Sequence, residues 1–556
     1  MARGGSSDAF DGVHVPKRTR RLFLGVALLT LAVFLVSARG LPQTFDEQIV
    51  YDTTASLVHG NADIGPALQQ QFPAGTAASR VAGGLSVTRS DGRRAGIYGV
   101  GTSAVGAPLY AIGKLIAEVS PASKRARVVE TATLFTDSVL TAATVFVLMM
   151  LCLLLGAPPL GAVLIGLSFG LGSYAYPHAL TMFTEPGTAL CVIAAVFFAV
   201  RAARAGSNVD LFASGALAAT ALLFRVSAAL FLPIIGLWLL FAAWRSRDAA
   251  DSESPGSLRR VVRFGAWYAL GAIGPLLVML VVNWWRYGSV TNFGYALGTA
   301  TNQSYPIVRG VVNQWFSSGK SLFLFAPIAL VVLFGLVRAA RKAPMEIALL
   351  GSLVVVNTLF FARVQFWSGD WAWGPRYLQI VVPCLAAMAA PLMDRPAWRR
   401  AVVVVSVLGF FFAALPAVLV RFTLVFYSAD KLMPSGPLGP RVWDHSYYAL
   451  VWHTLHWQQI LYQLRLLPHA FSNSLSHVTS PLGPASVSTF LTTPRLEFWW
   501  LRARDLGTAA VLLFVLFPIA AAVAGVRMLN RYLDSDPGPT SESAPDPAAI
   551  GASGAV

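Results

Sequence analysis

Long apolar stretches recur about a dozen times along this chain, each roughly 16 to 26 residues long, with polar turns or charged loops between them. Wound as a helix at about 1.5 Å per residue, such a stretch spans the ~30 Å hydrocarbon core of a bilayer. Burying them all inside a soluble core is excluded by the scarcity of charge. Only 12% of the 556 residues are charged and 56% are hydrophobic, whereas an ordinary soluble domain carries about 25% charged residues. The chain is therefore expected to be an all-α polytopic membrane protein whose helices close their own backbone hydrogen bonds in lipid.

About twelve transmembrane helices are expected, at 22–38, 129–154, 158–176, 186–202, 209–224, 226–244, 262–283, 321–338, 344–362, 376–393, 399–420 and within 507–533. Basic clusters orient them. Arg201 and Arg204, Arg245 to Arg263, Arg338 to Lys342, Arg395 to Arg400, and Arg527 with Arg531 all fall on one side if the N-terminus is inside. By the positive-inside rule that side is cytoplasmic. Lys124, Arg125 and Arg127 fall on the other side, which is reconciled if 103–119 is an amphipathic helix lying at the interface. The organisation expected is a cytoplasmic tail 1–21, a transmembrane module 22–420 with a first outer loop 39–128, and an extracytoplasmic Trp/His-rich segment 421–506. The last helix and a disordered cytoplasmic tail 534–556 follow. Lys17 to Arg21 precede an apolar run with no convincing cleavage site after it, so the first span is read as uncleaved.

The net charge of +16 lies largely between apolar spans, where it sets topology and attracts anionic lipid head groups. Nucleic acid is not expected as a partner, because no zinc spacing or RNA-binding signature is present. Cys152, Cys191 and Cys384 lie far apart in apolar runs and are expected as small core residues. Gly319-Lys320-Ser321 resembles the end of a phosphate loop, but Gln314 stands where its earlier glycine is required. His445, His453 and His456 sit among tryptophans with no carboxylate pattern, which favours interfacial packing over a metal site.

What remains is a set of polar residues that are expensive where they stand. Asp46 and Glu47 follow the first span. Either they cap a helix over 47–59, with Thr44 as a further cap candidate, or one serves as a general base beside the membrane. Residues 209–244 are too long for one span, at roughly 50 Å, and short for two, so two short helices are expected to meet at Arg225. An arginine at that depth is costly unless paired; it either snorkels or serves a site. Glu185 flanks a tight turn, Arg286 ends the seventh span, and Arg363, Asp370 and Arg376 are interleaved with Trp371, Trp373 and Tyr377. Arginine forks suit phosphate, and aromatic faces suit sugar rings.

In this order the motifs resemble the GT-C membrane glycosyltransferases that use polyprenyl-phosphate sugars, among them protein mannosyltransferases, lipid A aminoarabinose transferases and actinobacterial arabinosyl- and mannosyltransferases. The resemblance covers about residues 22–395. It rests on Asp46-Glu47, Tyr98-Gly99-Val100-Gly101-Thr102-Ser103, Thr184-Glu185-Pro186, Arg225, Arg286-Tyr287-Gly288-Ser289 and Trp371-Ala372-Trp373-Gly374-Pro375-Arg376-Tyr377. It implies Asp46 as catalytic base with Glu47 beside it, and Arg225, Arg376 and Arg363 as donor-phosphate ligands. Tyr98, Glu185, Arg286, Asp370, Trp371, Trp373 and Tyr377 would line the substrate pocket. Some members use a divalent metal, but the acidic residue and histidine they hold it with have no clear counterpart here, so metal dependence stays open.

The expected function is transfer of a sugar from a polyprenyl-phosphate donor to an extracytoplasmic glycan, lipid or protein. The alternative is a membrane transporter or lipid flippase, which would favour charges spread over several midplane positions and two related halves. Neither feature is evident in the sequence. A scaffold without chemistry would leave the charges gathered on one face unexplained.

Overall fold

The computed structural model describes residues 15–72, 74–245, 256–295, 303–317, 320–369, 372–419 and 498–534. The tail beyond residue 534, most of the 421–506 segment, Asp370 and Trp371 lie outside these residues. Among the described residues, eight helices are long and apolar enough to cross a membrane. They are Lys17–Ser37, Ala122–Leu154, Glu185–Ala205, Val226–Arg245, Leu258–Tyr287, Pro344–Ala362, Pro396–Leu419 and Thr508–Leu533. The chain is a polytopic membrane protein. The remaining expected spans fall on shorter elements: Pro159–Gly170, Asn208–Phe224, Ile328–Lys342 and the broken helix Arg376–Leu392. Proline explains the last of these, because Pro383 and Pro391 open successive short turns where each lacks a donor to continue the helix before it.

Close backbone approach holds the bundle together. The helix Asn208–Phe224 packs along Gly256–Tyr287. A Cβ on Gly215 would lie 1.9 Å from the Tyr268 carbonyl oxygen, and one on Gly271 would lie 2.0 Å from that of Phe212. Small residues are what membrane helices use to approach so closely, since lipid supplies no hydrophobic force between them. The first and last spans run antiparallel. Trp499 and Trp500 donate from Nε1 to the carbonyls of Leu35 and Val36 at 2.7 and 2.8 Å, and Arg18 reaches the Tyr532 carbonyl at the other end. Outward faces carry Leu237, Phe241, Leu277, Phe334, Phe412 and Leu516, all exposed, as a lipid-facing surface requires.

The first loop adds one element to the all-α expectation. Ser86–Thr88 and Arg94–Gly96 pair as a small antiparallel hairpin. Asp91-Gly92 turns it, with Gly92 at φ 83° and Arg93 paired to Asp91. Aspartate-glycine is a strong hairpin signal, because glycine adopts positive φ without steric cost. The helix Gly101–Ala117 follows and packs on Arg125–Thr133 and Phe45–Val58, leaving Val105, Ile112 and Leu115 exposed.

Charged pairs gather at the two ends of the bundle. Along Glu185–Ala205, a helix about 30 Å long, Glu185 begins one end and Arg201 and Arg204 close the other. At the Arg201 end, Arg201 forks onto Asp210 at 2.6 and 2.8 Å, Arg204 meets Glu346 at 2.9 Å, and Lys342 meets Asp394 at 2.7 Å. The opposite end holds Asp46, Glu185, Arg225 and Arg376.

Candidate functional site

The site begins with a capped helix. Thr44 accepts from the Glu47 backbone N–H at 3.2 Å, and the Glu47 carboxylate accepts from the Gln43 N–H at 2.9 Å. This reciprocal arrangement satisfies donors at the start of Phe45–Val58. It sends Glu47 into the interior, where it is fully buried with Oε1 unpartnered, and leaves Asp46 at the surface of the cluster. Burial pushes the Glu47 carboxyl up to about 7, against the pull of the Gln43 N–H and the nearby Arg39.

Asp46 Oδ2 accepts from Arg376 Nη1 at 2.6 Å. Arg376 Nε donates to Glu185 Oε1 at 2.8 Å, and its Nη2 to Glu185 Oε2 at 3.4 Å. Arg225 Nη1 donates to the same Glu185 Oε1 at 2.8 Å and to Thr184 Oγ1 at 3.3 Å. Four side chains from four separated segments thus form one chain of ion pairs, Asp46–Arg376–Glu185–Arg225. The Asp46 side chain is 24% exposed, the two arginines 7% and 10%, and Glu185 not at all, so the chain opens to solvent at Asp46. Buried charges persist only when paired in this way.

Aromatic faces set the arginine orientations. Arg225 lies 4.7 Å over the Tyr377 ring, which stacks on Phe361 at 4.5 Å, and Arg376 lies 3.7 Å over Phe183. Every nitrogen of Arg376 is engaged by Asp46 or Glu185. Arg225 keeps Nε and Nη2 without a hydrogen bond among the described residues. Tyr98 lies beside Asp46, and burial followed by the Asp46 charge raises its phenol, which keeps it a neutral donor. Tyr295 also faces Arg225 and Tyr377.

The backbone places Arg225 at a break. The helix Asn208–Phe224 ends, Arg225 is extended at φ −150° and ψ 123°, and a short 3-10 turn Val226–Leu230 begins. Phe224 beside it is seated against glycines. A Cβ on Gly187 would lie 2.1 Å from its ring, one on Gly101 2.5 Å from it, and one on Gly99 2.4 Å from its carbonyl oxygen. Next to the break is a small cavity of about 30 Å³ with a mixed polar and apolar lining that includes Val100, Leu222, Val226, Asn283, Arg286 and Tyr295.

Other residues expected at the site lie outside the ion-pair chain, Arg286 among them lining the cavity beside Val226. Arg286 donates to the Tyr98 and Gly96 carbonyls at 2.8 and 2.5 Å, so it holds the Tyr98 loop and does not enter the ion-pair chain. Arg363 is exposed and donates to the Gln303 carbonyl. Trp373 is buried, with its carbonyl 3.0 Å from His178 Nε2, and with Tyr174, which donates to the Pro375 carbonyl, it secures the turn before Arg376. Asp137 was missed in the sequence. It is fully buried, accepts from the Phe183 N–H at 2.7 Å, and pins the segment that ends in Glu185. A carboxylate inside an apolar span was the signal.

Among the described residues, no three His, Cys, Asp or Glu side chains are grouped to hold a metal ion. Glu185 is saturated by two guanidiniums whose charge would repel a cation, so the donor set does not fit a divalent metal.

No protein-family model matches the chain, and no curated protein matches it. Among the solved structures it resembles is ArnT from Cupriavidus metallidurans bound to undecaprenyl phosphate, which superposes with a TM-score of 0.41 at 14% identity. The superposition covers 92% of this chain and 77% of that one. A likeness that loose leaves the chemistry to be argued from this chain's own residues.

Proposed function

We propose that this protein is a GT-C-type glycosyltransferase. It moves a sugar from a polyprenyl-phosphate donor to a hydroxyl of an extracytoplasmic glycan, lipid or protein. The observation that carries the reading is the convergence of Asp46, Arg376, Glu185 and Arg225 at one end of the bundle. A carboxylate held beside two guanidiniums is what displacement of a lipid phosphate needs. The motif resemblance across residues 22–395 supports the same class.

In this reading the acceptor oxygen attacks the anomeric carbon as the bond from that carbon to the phosphate oxygen breaks. The polyprenyl phosphate leaves with the electron pair, Asp46 takes the acceptor's proton, and the configuration at the carbon inverts. Arg225 and Arg376 stabilise the charge that grows on the leaving phosphate. Glu185 keeps both guanidiniums aimed at one point and Tyr98 orients groups at the mouth. Glu47, behind Asp46, supports the helix start.

The basic residues at the Arg201 end support a cytoplasmic face there by the positive-inside rule, and with it a site on the outer side. Nucleotide sugars are cytoplasmic, so a lipid-phosphate donor is the physical way to present an activated sugar there. The test is transfer by membranes offered a panel of labelled polyprenyl-phosphate sugars. Wild type is expected to transfer from one of them, and Asp46→Asn at equal abundance to lose at least a hundredfold. Equal transfer by both would remove Asp46 as the base. No transfer from any donor would favour a transporter or flippase.

A further inference from the structure

The ion-pair chain is electrically complete without a substrate. Two guanidiniums balance the carboxylates of Asp46 and Glu185, and every Arg376 nitrogen is already bonded. An arriving phosphate would make the cluster negative, and Arg225 offers it two whole nitrogens, Nε and Nη2, that carry no hydrogen bond among the described residues. Glu185 is the wrong carboxylate to give way, because it is fully buried and holds both arginines. Asp46 is the right one, since it is the most exposed member and holds Arg376 through one nitrogen.

We propose that Arg376 is handed over from Asp46 to the donor phosphate, so that donor binding itself frees the base. This rests on reading the cluster as a lipid-phosphate site. In the free protein Arg376 pairs with Asp46 through Oδ2, and that charge pairing weakens Asp46 as a base. A phosphate first engages Nε and Nη2 of Arg225, then takes Nη1 of Arg376, and Asp46 turns to the mouth. Donor therefore binds before acceptor, and the base is unmasked only when a leaving group is in place. Asp46 is an internal competitor for the anion as well as the base.

The competition is measurable without any turnover. Binding of undecaprenyl phosphate to purified wild type, Asp46→Asn, Asp46→Ser and Arg376→Gln is measured in detergent, and thermal unfolding confirms that each is folded. Removing the competitor is expected to tighten binding about tenfold in both Asp46 variants, because a partly buried charge-assisted bond no longer has to break. Arg376→Gln is expected to weaken it at least tenfold. Equal or weaker binding by the Asp46 variants, with Arg376→Gln still impaired, would overturn the hand-over and leave the phosphate site standing. Binding indifferent to Arg376→Gln would overturn the site itself, and the hand-over with it.

Discussion

Glu47 and Asp46 are chain neighbours with opposite situations. Asp46 is partly exposed and paired to an arginine, whereas Glu47 is sealed in the interior with one oxygen unpartnered. Burial raises the Glu47 carboxyl from an ordinary 4.5 to about 7, with Arg39, Asp46 and Arg376 as its charged neighbours. Between those two values the folded chain keeps a proton that the unfolded chain releases. Stability contributed by this group is therefore full below about pH 4.5 and is lost as pH rises towards 7, by on the order of 3 kcal/mol. Asp52, also raised to about 7 by burial, adds a slope of the same sign. Thermal unfolding of wild type and Glu47→Gln from pH 5 to 8 should show curves that separate as pH rises, the variant becoming the more stable. Parallel curves would mean that Glu47 is ionised in the folded protein.

Elements deliver these residues by close packing at their ends. Phe224 is wedged against Gly101 and Gly187, and Arg225 follows it directly. Gly187→Ala would push the Phe224 ring and shift Arg225. The expected cost is about 1–3 kcal/mol in stability and on the order of a hundredfold in transfer. Gly274→Ala, where an added Cβ meets nothing within 4 Å, is the control expected to leave transfer unchanged; equal effects of both would refute the wedge.

Much of this was legible in the sequence, through particular residues. Arg225 was found by length, since 36 residues between Val209 and Trp244 fit neither one span nor two full ones. Asp46 was found as a carboxylate stranded beside a span. Glu185 was visible, but not its role, because which charges pair across 191 residues of chain depends on tertiary packing. In the sequence Arg363 stood beside Arg376 as a candidate phosphate ligand and Arg286 as a pocket residue. Only the fold separates them, by placing free carbonyls within reach of Arg286 and Arg363 and carboxylates within reach of Arg376. The aspartate-glycine hairpin turn was overlooked because its strands are three residues each, too short for an alternating pattern.

At the scale of the whole molecule, two charged layers lie about one helix length apart, roughly 30 Å, with exposed apolar side chains between them. The layer containing Arg201, Arg204, Arg338 and Lys342 defines one side, and the hairpin tip at Ser90 lies at the other. The native cysteines Cys152, Cys191 and Cys384 are buried and free, so a single added cysteine can report sidedness. A membrane-impermeant maleimide applied to intact cells is expected to label Ser90→Cys and to spare Arg341→Cys until the membrane is opened. The reverse pattern would put the site in the cytoplasm, where no lipid carrier is needed to present a sugar.

In the proposed mechanism Arg225 and Arg376 hold a lipid phosphate. The most direct measurement is an electron cryomicroscopy map of the protein with undecaprenyl phosphate in a lipid nanodisc. Phosphate density is expected within hydrogen-bond distance of both guanidiniums. Lipid phosphate density away from both arginines, with the Asp46–Arg376 pair intact, would contradict it.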